Sequence, residues 1–154
     1  VRTERSPDSS SWCLWRWFFI RGRQERVILS RLTLLRTPWF QVMLHWIHHP
    51  DGDRDLHDHP WRFLSLVLWG SYWELTGKVG HRLWPQNLLV RRVRWLNWKG
   101  LRDAHRIALV GEGGALTLVV TGRKRKSWSF HDLCTGEETP WREYLARPRA
   151  EVGQ

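Results

Sequence analysis

RDLHDHPWRFLSLVLWGSYWEL, residues 54–75, is the stretch whose reading decides the fold. Phe63 to Trp69 is a short, nearly continuous apolar run, and its length and flanks favour a buried strand over a helix. Gly70-Ser71 is expected to turn the chain, with Tyr72-Trp73-Glu74-Leu75 running back as a hairpin partner. Upstream, HHPDGDR (48–54) is loop chemistry, with Pro50 and Asp51-Gly52 as turn formers. Between loop and strand lies His57-Asp58-His59. On an extended chain residues i and i+2 point to the same side, so both imidazoles face one point, as two cis metal ligands must. Neutral imidazole suits Zn, Cu, Fe or Ni, and a third protein ligand beside open positions marks a reactive site. Without context the same pair reads equally well as surface or hydrogen-bonded core histidines.

Outward from this stretch the chain continues in short strands. Val27 to Leu35 is apolar and β-prone, Thr37-Pro38 breaks it, and Trp39 to Ile47 resumes. Leu88 to Trp95 alternates basic and apolar residues, as a half-exposed strand does. His105 to Val110 and Ala115 to Thr121 flank Gly111-Glu112-Gly113-Gly114, read as a tight turn. Ser127 to His131 and Trp141 to Leu145 complete the series. Many short strands punctuated by turns indicate an all-β, antiparallel sandwich or barrel.

In such a barrel His105 opens a strand facing the His57–His59 pair across the lumen, and it is the candidate third ligand. Asp103, two residues earlier on the same face, and Glu74, just past Gly70, are each candidates to supply a carboxylate or to orient a ligand from behind. Asp58 points away by alternation and is expected to cap or to form a salt bridge. His45, His48, His49, His81 and His131 are read as structural or solvent-facing.

Composition narrows the function classes. The chain has 154 residues, enough for one domain. It begins with Val, so a trimmed or alternative start is expected. No apolar run approaches the ~20 residues of a membrane helix. Trp12 to Ile20 is short, carries Arg16 and lacks the cleavage site of a secretory signal. The expectation is a soluble, cytoplasmic protein with no membrane partner. Cys13 and Cys134 stand far apart in sequence, read as reduced thiols rather than a disulfide framework. Thirteen tryptophans suggest a wide, aromatic-walled interior or cleft, with Trp61, Phe63, Trp69, Trp73, Trp95, Trp98, Trp128 and Trp141 as core or cleft wall. The net charge of +10 attracts polyanions, but only Arg123-Lys124-Arg125-Lys126 is a tight cluster, a candidate anion contact at most. No Walker loop, nucleophile elbow or Cys-rich zinc pattern occurs.

The order of loop Gly52, His57-Asp58-His59, apolar strand, Gly70 and a later single histidine heading a strand resembles the two motifs of the cupins, the RmlC-like jelly rolls. The longer pattern DRDLHDHPWRFLSLVLWGSYWE, AHRIAL, ALTLVVTGRKRKSWSF and PWREYL is similar to short cupin-like proteins of bacteriophage and prophage genomes, across about residues 30 to 145. Many metal cupins carry a Glu four or five residues after the second His, where this chain has Phe63 and Leu64. The site therefore resembles the three-histidine variant of thiol dioxygenases, whose metal is ferrous iron. The second motif lacks the usual Pro-X-Gly and terminal Asn.

Polar, Ser-rich residues 1–11 and the tail over 147–154, with Pro148 and Gly153, read as flexible termini, and the resemblance implies a single cupin domain over 12–146 between them. It also implies a divalent transition metal on His57, His59 and His105, with Fe(II) first and Zn, Ni or Mn as substitutes. The function expected is a small Fe(II)-dependent oxygenase acting on a small anionic substrate. The alternative is a non-catalytic metal-binding cupin of phage origin, serving as a structural, ligand-binding or nucleic-acid-interacting module. A metal-free isomerase of the sugar-epimerase kind is a third reading, which the twinned histidines disfavour. A homodimer is the expected assembly.

Overall fold

The computed structural model describes residues 12–21, 26–80 and 84–147. Ten strands and one short helix follow in order: β1 (Cys13–Arg21), β2 (Val27–Arg36), β3 (Gln41–Ile47), β4 (Leu56–His57), β5 (Phe63–Lys78), β6 (Leu89–Val93), β7 (Leu96–Lys99), β8 (Asp103–Thr121), β9 (Ser129–His131), β10 (Glu138–Pro140) and α1 (Trp141–Ala146). Every pairing is antiparallel. The expected all-β jelly roll is the fold observed.

Two long strands make the architecture. The first half of β5, Phe63 to Gly70, pairs with Ala115 to Thr121 of β8, and its second half pairs with Asp103 to Val110. On its other side, the later half of β8 takes β3 and thus β2 and β1, while its earlier half takes β4, β9 and β10. Both long strands therefore run through two sheets, which curl toward each other. The hairpins expected at Gly70-Ser71 and at Gly111 to Gly114 do not form. Register shifts bend the strands there instead, because Tyr72 to Thr76 find partners on β8 and β6 at once. Gly70 (φ +76°) and Gly114 (φ +94°) meet at this bend, in a left-handed conformation that side chains resist. A Cβ on Gly70 would lie 2.3 Å from the Gly114 carbonyl oxygen.

Other expectations need smaller corrections. The strand predicted over Trp141 to Leu145 is helical, packing Tyr144 on Phe130 with ring centroids 3.8 Å apart. Four strands were not foreseen: β1, β7, the two-residue β4 and the three-residue β10. The flexible termini fall on residues largely outside those described, as does His81. Cys13 and Cys134 are free thiols.

The core is small and split. Ile47, Val67, Tyr72, Val93 and Ala115 pack at the bend, and Met43, Phe63 and Val119 pack toward the far end, with Trp61 against them. Tryptophan does not wall the interior as expected. Nine of the thirteen are exposed, Trp69, Trp73, Trp95 and Trp98 among them. The interior is polar over much of its surface, and its histidine cluster lies on the β4–β8 side.

Candidate metal centre

His57 closes β4, and its register partner on β8 is His105. The third imidazole thus comes from the adjacent, hydrogen-bonded strand rather than from across the lumen. His59 follows two residues after His57, as alternation requires, and leans onto Phe63, with ring centroids 4.8 Å apart. The three rings stand with centroids 5.0 to 5.2 Å from one another. One nitrogen of each lies within 4.8 Å of the other two. Trp128 and Phe130 cover His57.

Glu74 decides the protonation of this cluster. Its carboxylate is fully buried, and Oε2 lies 2.8 Å from His105 Nδ1. Burial alone would raise the Glu74 carboxyl, but the His105 contact and the Lys99 ammonium outweigh it and hold the group well below the usual carboxylate range. An ionised carboxylate only accepts, so His105 donates from Nδ1, and its Nε2 edge faces the cluster. His59 Nε2 and His105 Nε2 share a hydrogen bond across 2.9 Å, its direction set by the ring tautomers. Behind Glu74, Lys99 Nζ (2.9 Å) and Arg91 Nε (2.7 Å) donate to Oε1, and Asn97 Nδ2 (3.1 Å) donates to Oε2. Lys99 Nζ also reaches Thr76 Oγ1 at 2.7 Å. A buried carboxylate with this many partners has little freedom to rotate.

Burial, with the neighbouring imidazoles after it, pushes His59 well below its ordinary value. The same desolvation takes His57 down to about 4, against an opposing pull from Asp51. Both rings are neutral near pH 7, the state in which imidazole ligates a metal. The arrangement fits such an ion. Two metal–nitrogen bonds of about 2.1 Å at a right angle place their nitrogens about 3.0 Å apart, close to the His59–His105 separation.

Of the two candidate carboxylates, Glu74 orients His105, whereas Asp103 accepts a hydrogen bond from the Gly100 amide and stands outside the three-histidine group. Asp58 is buried in a separate network with Lys126, His131 Nε2 (3.1 Å) and the Ser129 amide (3.0 Å). Its expected salt bridge is there, and one member of the basic cluster is used in it. Arg125 is held through its amide by the Pro60 carbonyl. Arg123 and Lys124 line a separate cleft with Trp39, Phe40 and Trp61. His48 bonds Ser30, and His45 Nε2 accepts from Arg31 Nε at 3.0 Å.

Arg31 was not foreseen as a site residue. It faces inward from β2, and its charge helps to depress His59. Burial, then the charge of Arg36, pushes its guanidinium down to about 10. Among the described residues no carboxylate pairs with it.

No protein-family model matches the chain, and no curated protein matches it in sequence. Solved structures do match. The E162A mutant of Bacillus subtilis oxalate decarboxylase OxdC superposes with a TM-score of 0.56 at 13% identity, over 99% of this chain and 43% of that one. The formate complex of Lactobacillus farciminis oxalate decarboxylase gives 0.56 at 11%, over 90% and 37%. Fe(II)-HppE with the alternative substrate (S)-1-HPP gives 0.50 at 14%, over 69% and 55%. The chain thus spans about half the length, or less, of the proteins it matches. At these identities the likeness is one of fold, and it places the chain among cupin-type antiparallel barrels. The likeness to phage proteins gains no support from it.

Proposed function

We propose that this protein is a metal-binding cupin in which His57, His59 and His105 hold one divalent transition ion, with Fe(II) the leading candidate. The observation carrying this reading is the convergence of three imidazoles, one of them fixed from behind by a buried carboxylate. Such an ion, when bound, supplies oxygen activation and orients a ligand on its open face. The residues of the chain do the rest. Glu74 keeps the proton of His105 on Nδ1, Phe63, Trp128 and Phe130 crowd water from the rings, and Arg31 offers a positive charge beside His59. A small anion, a carboxylate above all, is the substrate this charge favours.

The direct His59–His105 hydrogen bond favours one competitor, a metal-free histidine cluster that satisfies itself. Elemental analysis of untagged protein separates the two. One equivalent of metal is expected in the native chain and less than a tenth of that in His57→Ala; a metal-free native chain after growth with added iron sinks the proposal. Oxygen uptake by the iron-loaded protein, across a panel of thiols and small carboxylic acids, then tests oxygenase activity. Silence across the panel leaves the non-catalytic reading.

A further inference from the structure

A cleft of about 280 Å³ opens between the β2–β3 turn and the loop leaving β8, and none of the three clustered histidines lines it. Trp39, Phe40 and Trp61 give it aromatic surface, Gln41 an amide, and Arg123 and Lys124 positive charge. Both walls are held in place. On the aromatic side, Thr37 Oγ1 accepts from the amides of Trp39 (3.2 Å) and Phe40 (3.1 Å), and the Thr37 amide donates to the Phe40 carbonyl (2.9 Å). Trp12 meets Trp39 edge-on, yet Trp39 stays 61% exposed. Trp61 packs on Met43, Phe63 and Val119 of the core. On the cationic side, the Gly122 amide donates to the Arg62 carbonyl (2.9 Å) and the Arg125 amide to the Pro60 carbonyl (2.7 Å). Lys126 fixes the end of this loop by pairing with buried Asp58.

Residues 122–126 are thereby tied along 60–62, and Arg62, Arg123, Lys124 and Arg125 all stand exposed on these two adjoining stretches. Among the described residues no carboxylate pairs with any of the four, and the Gln41 side chain has no hydrogen-bond partner. One ligand chemistry answers all three features. A flat ring stacks on an indole, its polar edge meets an amide, and phosphate oxygens meet the cations, which is the make-up of a nucleotide. The base must be unpaired, since a base inside a duplex offers no free face to an indole. Arg62 and Arg125 carry the unpaired charge beyond the cleft, so a run of phosphates finds more partners than a single one does. The net +10 of the chain draws such a polyanion in. We infer that this cleft binds single-stranded nucleic acid, with one base stacked at Trp39 and the neighbouring phosphates on Arg62, Arg123, Lys124 and Arg125. The inference stands whether or not the histidines hold metal.

Fluorescence anisotropy of a labelled oligothymidylate of about twelve residues tests it, with the full chain and a chelator in the buffer. Between 50 and 200 mM salt the log–log slope of affinity should be about −2.8, the value for four cations on single-stranded phosphates. Trp39→Ala removes an exposed stacking surface and should weaken binding about tenfold at an unchanged slope. Arg123→Gln combined with Lys124→Gln should bring the slope to about −1.4. Arg94→Gln, an exposed cation in the turn between β6 and β7, should leave affinity and slope as they are. If Trp39→Ala does not fold, the double glutamine variant and its control decide. A native chain that fails to bind at 50 mM salt, equal affinity for a duplex of the same length, or thymidine monophosphate competing as well as the oligomer overturns the inference. So does binding indifferent to Trp39→Ala.

Discussion

Glu74 is the residue on which most of the polar interior depends. Its two oxygens accept from Lys99, Arg91, Asn97 and His105, and it separates a buried ammonium from the imidazoles. Glu74→Gln keeps the shape and removes the charge. Lys99 is then left buried without a counter-ion, a loss of about 3–5 kcal/mol by the usual cost of breaking a buried pair. His105 also loses the carboxylate that fixes its proton, and metal affinity should fall about 10–100-fold. Urea midpoints and competitive metal titration read the two effects separately. An unchanged affinity in a destabilised variant shows that Glu74 supports the fold without tuning the site. The sequence made His57 and His59 legible because a two-residue period leaves no choice of face. It nominated Glu74 and Asp103 equally, since nothing local says which carboxylate a distant histidine meets. Lys99 and Asn97 escaped notice because the half-exposed strand read over 88–95 stops short of them, and the separate strand β7 that carries them was not foreseen.

The two long strands show what element-level reading misses. Gly70-Ser71 and the glycines at 111–114 are turn chemistry by any local rule, and both β5 and β8 nevertheless continue through them. Glycine permits a reversal or a bend, and long-range pairing selects the bend: residues beyond each glycine gain partners on both sides only if the strand goes on. Trp141 to Leu145 erred in the opposite sense, since six residues hold too few turns for a helical period to show. The bend makes a sharp prediction. Gly70→Ala forces a side chain into a left-handed backbone and against the Gly114 carbonyl oxygen, itself pinned at the same corner. A stability loss of about 2–4 kcal/mol is expected. Gly80→Ala is the control: its φ is +70°, but nothing lies within 4 Å of the added Cβ, so backbone strain of about 1 kcal/mol is all that remains. Equal urea midpoints for the two variants show that the corner yields.

At the scale of the whole molecule, fold class was legible and polarity was not. Turn spacing and strand-length runs announce an antiparallel barrel, but alternation states only that two faces differ, not which one is inside. Thirteen tryptophans were read as the wall of an interior or a cleft, and nine of them lie exposed, while the interior buries threonine, histidine and charged groups. This mixed interior sets the energetics. With a split apolar core, the β4 segment is held to β8 by the His57–His105 register and to β9 by two further pairs. An ion on the three histidines ties β4, the His59 loop and β8 together. At a free metal concentration 100 times the dissociation constant, binding adds about 2.7 kcal/mol, and for a chain of this size roughly 5–10 °C in Tm. Chelation should therefore lower the melting temperature by that amount and open residues 55–62 to hydrogen exchange, while amides of β3 and the later half of β8 stay protected. His57→Ala should melt at the chelated value and ignore the chelator. A chelator effect that persists in His57→Ala, or one spread evenly over both sheets, places the metal elsewhere and leaves the histidine cluster a hydrogen-bonded part of the interior.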